Sequence, residues 1–296
     1  MADVSPTALP ANPKRRRAIP VSAALAIGWV VLMVFVGVFA DLLRPYSITQ
    51  LNLVGRLSPP LGFGGTTAHI LGTDELGRDI LSRLMIAIRI SLMIAFGATL
   101  LGVILGGLLG LCAAHFRGIF EQVTLVLIDM QAALPFIILA LSALAFFGTS
   151  LPILIGLLGL YGWERHARLA RGLALSANTQ GYLLAVRQLG ASSGRVYVRH
   201  LIPNISATMI VSATLAFPEV ILAESGLSFL GLGVQPPMTS LGSMVGYSRA
   251  YMSNAPWIML FPSVVIVLTT LAISVIGDWM RDRFDPSFGD RQQGKA

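Results

Sequence analysis

Few residues in this chain can do chemistry, and their spacing excludes most kinds. Glu219 and Glu224 stand five apart inside an apolar stretch, and Arg165, Arg168 and Arg171 recur every three residues beside another. Carboxylates in apolar runs are costly and mark solute or ion routes by default. Arginines three apart share one helix face. His69, His115, His166 and His200 read as scattered loop residues without metal-ligand spacing, and the single cysteine, Cys112, excludes an intrachain disulfide or a cysteine-ligated metal. The sequence has no H-E-x-x-H, no G-x-S-x-G and no G-x4-G-K-[ST] phosphate loop. No catalytic residue and no bound cofactor or metal are therefore expected.

What must position these residues is lipid. Apolar residues make up 55 % of the 296, charged residues only 12 %, against about 25 % in soluble domains, and mean hydropathy is +0.76. The apolar residues fall in blocks near the length that crosses roughly 30 Å of hydrocarbon. Spans are predicted near 19–40, 91–114, 123–147, 151–163, 204–223 and 257–276, the fourth being short enough that its helix continues through Trp163 and Ala167. The expected class is all-α: a polytopic membrane protein of six transmembrane helices. The run at 19–40 exceeds a signal-peptide core of about 7–15 residues, so an uncleaved span is expected.

The segments divide as a disordered N-terminus (1–18), a first span and outer loop (19–85), a transmembrane core (86–278) and a tail (279–296). In the outer loop, Thr73 is placed to cap a helix with Asp74 and Glu75 in its first turn, and Asp79 and Arg83 form an i,i+4 pair. An amphipathic helix on the membrane surface is predicted there, as anchor or as functional element. Gly97, Gly102, Gly106, Gly107 and Gly110 permit close helix approach in the second span. Pro135 and Pro218 should kink their spans. Asp129 reads as a structural group facing the bundle or water.

A net charge of +7 fits Lys and Arg held in inner loops better than nucleic-acid binding, for which no soluble basic domain is present. With the N-terminus inside, most of the 21 Lys and Arg residues face the cytoplasm: Lys14 to Arg17, Arg117, the six arginines of 165–203, and those of the tail. Both ends are then cytoplasmic. Loop 165–203 opens with the three arginines on one helix face just below the membrane, where contact with lipid headgroups is compatible with any other role, then GYLLAVRQLGASS, a short helix ended by Gly190. Leu183, Leu184, Val186 and Leu189 make it apolar for a cytoplasmic segment, the mark of a protein partner.

Tyr182 to Gly190, followed by His200-Leu-Ile-Pro203-Asn204, resembles the E-A-A-x3-G-x9-I-x-L-P loop of ABC importer permeases. LGTDELGRDILSRL (71–84), ESGLSFLGLGVQPP (224–237) and GDWMRDRFDP (277–286) are similar to the dipeptide/oligopeptide/nickel family, C-subunit branch. The resemblance covers about 19–286. It implies a type I importer transmembrane fold (MetI-like) in the bacterial inner membrane. It also implies a heterodimer with a second permease, two cytoplasmic ATPases that bind ATP and Mg, and an extracytoplasmic solute-binding protein. The coupling residues it implies are Tyr182, Leu184, Ala185, Arg187, Leu189, Gly190 and Pro203. Leu184 stands where the motif carries glutamate and Val186 where it carries its second alanine, so no ion pair to the ATPase is implied at 184.

Glu219 and Glu224, with Pro218 and Ser225, are candidates for the translocation path or gate. Two readings stay open for the pair of carboxylates: lining the pore, where one would meet a peptide amine or a cation, or resting at the outer interface against water or an arginine such as Arg249. Glu224 also fits a brace for the loop after it, which either dips toward the pore or rests at the interface. The function expected is inward transport of peptides, with a nickel complex or another small solute as alternative. A secondary transporter is disfavoured because no convincing repeat is seen.

Overall fold

The computed structural model describes residues 19–284. The readings on 1–18, and on the tail from 285 onward, lie outside the described residues. Among those described, every regular element is helical: α1 (Val21–Val38), α2 (Ala40–Leu43), α3 (Ile80–Phe116), α4 (Gly118–Ala133), α5 (Phe136–Phe147), α6 (Leu151–Asn178), α7 (Gly181–Gln188), α8 (Ser193–Val196), α9 (Ile202–Phe229), α10 (Leu241–Ser248) and α11 (Trp257–Phe284).

The pair α3 and α6 forms the spine, and glycine makes it possible. A Cβ on Gly106 or Gly110 would overlap the carbonyl oxygen of Trp163 or Ala167, and one on Gly102 would lie 3.0 Å from that of Gly159. Contact positions rise together along both helices, so α3 and α6 run parallel. The chain must cross back between them, and α4 with α5 does so, bent by 93° at the break before Pro135 and Phe136. Pro135 cannot continue a helix, since it lacks the N–H and its ring meets the preceding turn. Pro218 lies inside α9 without interrupting it.

Helices α1, α3 and α11, and the continuous run Ser193–Phe229, are each long and apolar enough to cross a membrane, and the bent pair makes a fifth if it is counted as one span. The remaining expected span, 151–163, lies in α6, which is apolar over Leu151–Trp163, then turns polar, and does not reach that measure as a helix. It is positioned by its packing on α3 rather than by its own hydropathy.

The outer loop corrects two expectations. No amphipathic helix starts at Thr73; α3 begins at Ile80, with Asp79 capping it by accepting from the Ser82 N–H at 2.8 Å. Thr73 instead donates to the Gly55 carbonyl and accepts from the Ser58 N–H at 2.8 Å. Gly77 stops any earlier helix: its φ is +71°, and a Cβ there would overlap the Asn52 backbone. Arg83 pairs with buried Asp74 rather than Asp79, and Arg78 joins Asp74 at 2.7 Å. Arg89 of α3 ties that helix to α1 and α2, reaching the Gly37 carbonyl at 2.6 Å and Asp41 at 2.5 Å.

Candidate functional site

The span expected as loop 165–203 is mostly helix. α6 continues to Asn178 and the return begins at Ser193, so only the turns beside α7 are irregular. α7 ends in a Schellman motif: the Gly190 N–H donates to the Arg187 carbonyl at 3.0 Å and the Ala191 N–H to that of Val186 at 3.3 Å. Gly190 has φ +83° with open space where a Cβ would stand. The glycine is required by backbone conformation, not by crowding.

One face of α7 is spent holding it down. Leu183 is fully buried with Val196, Leu201, Ile205 and the alanines Ala170, Ala174 and Ala177, and Val186 packs beside them. Arg187 donates to the Asn178 side chain at 2.8 Å, and Asn204 to the Tyr182 hydroxyl at 3.0 Å. Both bonds fasten the short helix to the ends of α6 and α9. The other face carries Tyr182, Leu184, Ala185 and Leu189, all exposed, with Leu189 87 % accessible. Covering one leucine fully is worth about 1.5–3 kcal/mol.

Pro203 does not mark a break. The helix widens into a π turn over Tyr197–Leu201 and runs on through Pro203. A proline there cannot bond to the Arg199 carbonyl, and a π turn is a common way to absorb the misfit.

The two carboxylates of α9 have opposite fates. Glu224 is 1 % exposed. Its Oε1 accepts from Ser228 at 2.6 Å and from Ser240 at 2.7 Å, and Oε2 is buried without a partner among the described residues. Ser240 also caps α10 in a reciprocal capping box with Ser243, and the Leu241 N–H donates to Ser91 on α3 at 3.0 Å. Glu224 therefore sits inside a serine cluster joining α9, α10 and α3. Ser225 lies against Gly242 with its hydroxyl buried and unbonded. The segment 230–240 folds onto this junction, with Val234, Thr239 and Ser240 buried, so in this structure it braces helices.

Glu219 is exposed and accepts from Arg165 at 2.6 Å. Arg249, named as a partner from the sequence, lies over the Phe229 ring instead. Arg168 meets Asp129 at 3.4 Å, and Arg171 bonds Glu121 at 2.5 Å. The arginines expected to face headgroups thus form a ladder of carboxylate pairs to α9 and α4. His115, His166 and His200 lie in helical segments rather than loops, His166 beside Ser212 at 3.1 Å. Among the described residues, no group of His, Cys, Asp and Glu is arranged to hold a metal.

Residues 98–290, well over half of the chain, match the family described as binding-protein-dependent transport system inner membrane component. The chain belongs to that family. This permease is 34 % identical to the glutathione transport system permease protein GsiD of Pectobacterium atrosepticum over 92 % of its own length and 89 % of the relative's. It is 36 % identical to the di/tripeptide transport system permease protein DppC of Pseudomonas aeruginosa, covering 87 % and 86 % of the two chains. With the oligopeptide permease OppC of Mycobacterium bovis the identity is 32 %, over 94 % and 95 %. Among solved structures, a chain of the methionine ABC transporter MetNI superposes with TM-score 0.58 at 20 % identity, covering 70 % of the permease and 98 % of that chain. That likeness is one of fold. The permease is thus a membrane component of a transport system that works with a binding protein. The type I importer fold expected from the sequence is the one found.

Proposed function

We propose that this permease is one membrane half of an ATP-driven importer of short peptides, and that α7 is where a cytoplasmic ATPase grips it. The observation that carries this is the outer face of α7. A helix of two turns, tied at both ends and plugged by Leu183, holds Tyr182, Leu184 and Leu189 out of any core. Apolar side chains held rigidly outside the chain's own packing mark a partner surface. Because α7 joins the ends of α6 and α9, displacing it tilts two crossing helices as rigid bodies.

Charge supports the orientation: arginines clustered around α7 favour the cytoplasmic side for it, and both chain ends go with it. The rest of the assembly is a sister permease, a second ATPase and an extracytoplasmic binding protein, with ATP and Mg held by the ATPases. Peptide cargo is supported by three relatives named for glutathione, di- and tripeptides, and oligopeptides.

The test is Leu189→Asp. The variant is expected to insert into the membrane in wild-type amounts and to lose co-purification with the ATPases. Undiminished co-purification overturns the role of α7. Loss of membrane insertion would instead assign Leu189 to folding.

A further inference from the structure

A cavity of about 770 Å³ lies beside the elbow between α4 and α5, and the Arg165–Glu219 pair stands in its wall. Its other walls are apolar or aromatic, among them Phe136, Tyr161, Leu222 and Leu230. This volume is in the range of small-ligand sites, about 300–1,000 Å³.

The setting of the pair is unusual. Arg165 follows closely on the apolar stretch Leu151–Trp163 of α6, and Glu219 lies within the apolar helix α9, about 15 Å before its end at about 1.5 Å per residue. The side chains are nonetheless 52 % and 49 % exposed. A charge left facing hydrocarbon at a helix centre costs about 2.5 kcal/mol or more. The exposed side of this pair therefore fits water or protein better than lipid. The other carboxylate of α9, Glu224, is buried with its Oε1 held by two serines, so the two are not equivalent.

Valence gives the chemistry of the ligand. A guanidinium has five N–H donors and a carboxylate two acceptor oxygens. Among the described residues the pair spends one donor, Arg165 Nη1, and one acceptor, Glu219 Oε2, on each other. What remains is a cationic donor fork beside an anionic acceptor. A bare divalent cation is disfavoured there, because Arg165 repels what Glu219 attracts. A molecule carrying an ammonium and a carboxylate satisfies both. The apolar walls offer no further polar demand and so tolerate many side chains.

We infer that the Arg165–Glu219 pair is a contact station on the transport route for the charged ends of a passing peptide, the ammonium going to Glu219 and the carboxylate to Arg165. The inference rests on the peptide-importer reading above and adds the groups that meet the cargo. Because the two charges already satisfy each other, a peptide displaces a formed ion pair rather than filling a vacancy. Binding is correspondingly weak, as a site must be if cargo is to leave it.

The experiment uses the complete importer, permease with sister subunit, ATPases and binding protein, in proteoliposomes. The probe is a defined mixture of peptides of two to six residues, each supplied free, N-acetylated and C-amidated, with uptake read by mass spectrometry. No uptake by the wild type removes the peptide reading itself. Given wild-type uptake, Glu219→Gln and Arg165→Gln are each expected to lower uptake of free peptides about tenfold, the scale of one charged hydrogen bond. Relative uptake should shift toward acetylated peptides in the first variant and amidated ones in the second. The binding protein is the same throughout, so such a shift belongs to the permease. Glu219→Asp should restore the preference for free amines, and the charge-exchanged double variant Arg165→Glu/Glu219→Arg should remain low. Wild-type uptake in that double variant, or equal loss for free and blocked peptides, makes the pair a brace between α6 and α9 and overturns the inference.

Discussion

The α7 end and the α9–α10 junction treat their residues in opposite ways. At α7, apolar side chains stand outside the chain's packing, with Leu189 the extreme case. At the junction, a carboxylate and several hydroxyls are buried together: Glu224, Ser228, Ser240, Ser243 and Thr239. Each arrangement would be costly in isolation. The junction is largely answered internally, since Ser228 and Ser240 both donate to Glu224 Oε1, and only Oε2 and the Ser225 hydroxyl stay without a partner among the described residues. The α7 face has no such completion within the described residues, and a second protein is the natural way to supply it. A misplaced polarity thus points to function where its complement is missing, and to architecture where it is present.

The sharpest way to break that comparison is Glu224→Ala. It leaves Ser228 and Ser240 without their acceptor inside a packed junction, and should destabilise the permease by about 3 kcal/mol. A lowered thermal midpoint for the purified protein would register it. Glu224→Gln keeps an acceptor oxygen and should cost less. If Glu224→Ala unfolds like the wild type but transports poorly, Glu224 belongs to the route and not to the frame.

A smaller effect is expected at the other region. Gly190→Ala forces a Cβ residue to φ +83°, at about 1–2 kcal/mol, with no clash to relieve. The loss should stay local. Amide hydrogen exchange over 181–191 should quicken while α3 and α11 remain protected, and ATPase coupling should weaken. Global destabilisation would contradict the view that α7 is a separable grip.

The smallest effect lies at a third polar join, Asp41 with Arg89, which is exposed enough for water to share. The Arg89 guanidinium, hydrogen-bonded to Asp41, holds that carboxyl below its ordinary value. A depressed carboxylate contributes stability above its unfolded value, and the contribution disappears as pH falls through the folded one. Between roughly pH 5 and pH 3, the wild-type midpoint should therefore fall slightly further than that of Asp41→Asn. Parallel curves would mean that the pair contributes nothing.

The expectation of a cap at Thr73 shows how local patterns mislead. Thr-Asp-Glu is a good helix start when read alone, but Gly77 breaks the segment and Thr73 finds its partners near residue 55. The glycine was visible in the sequence; the backbone it approaches, at Asn52, was not. The spacing of the three arginines of α6 shows that they share a helix face but not which carboxylates they meet, because those lie 39 to 54 residues away in the chain.

The sequence by itself determined which segments are apolar enough to enter lipid, where the short helix α7 lies, and the family. Hydropathy, helix period and a C-terminal glycine act over a few residues, and each is a property of its own segment. Tertiary structure alone decided that Glu219 meets Arg165 while Glu224 is closed in by serines, and that α6 follows α3 rather than leaving it. Those outcomes depend on which face of one helix meets another, and that is set by close approach at Gly102, Gly106 and Gly110. The physical reason is range: burial preference is written into each residue, but the partner of a charge exists only after the helices have packed.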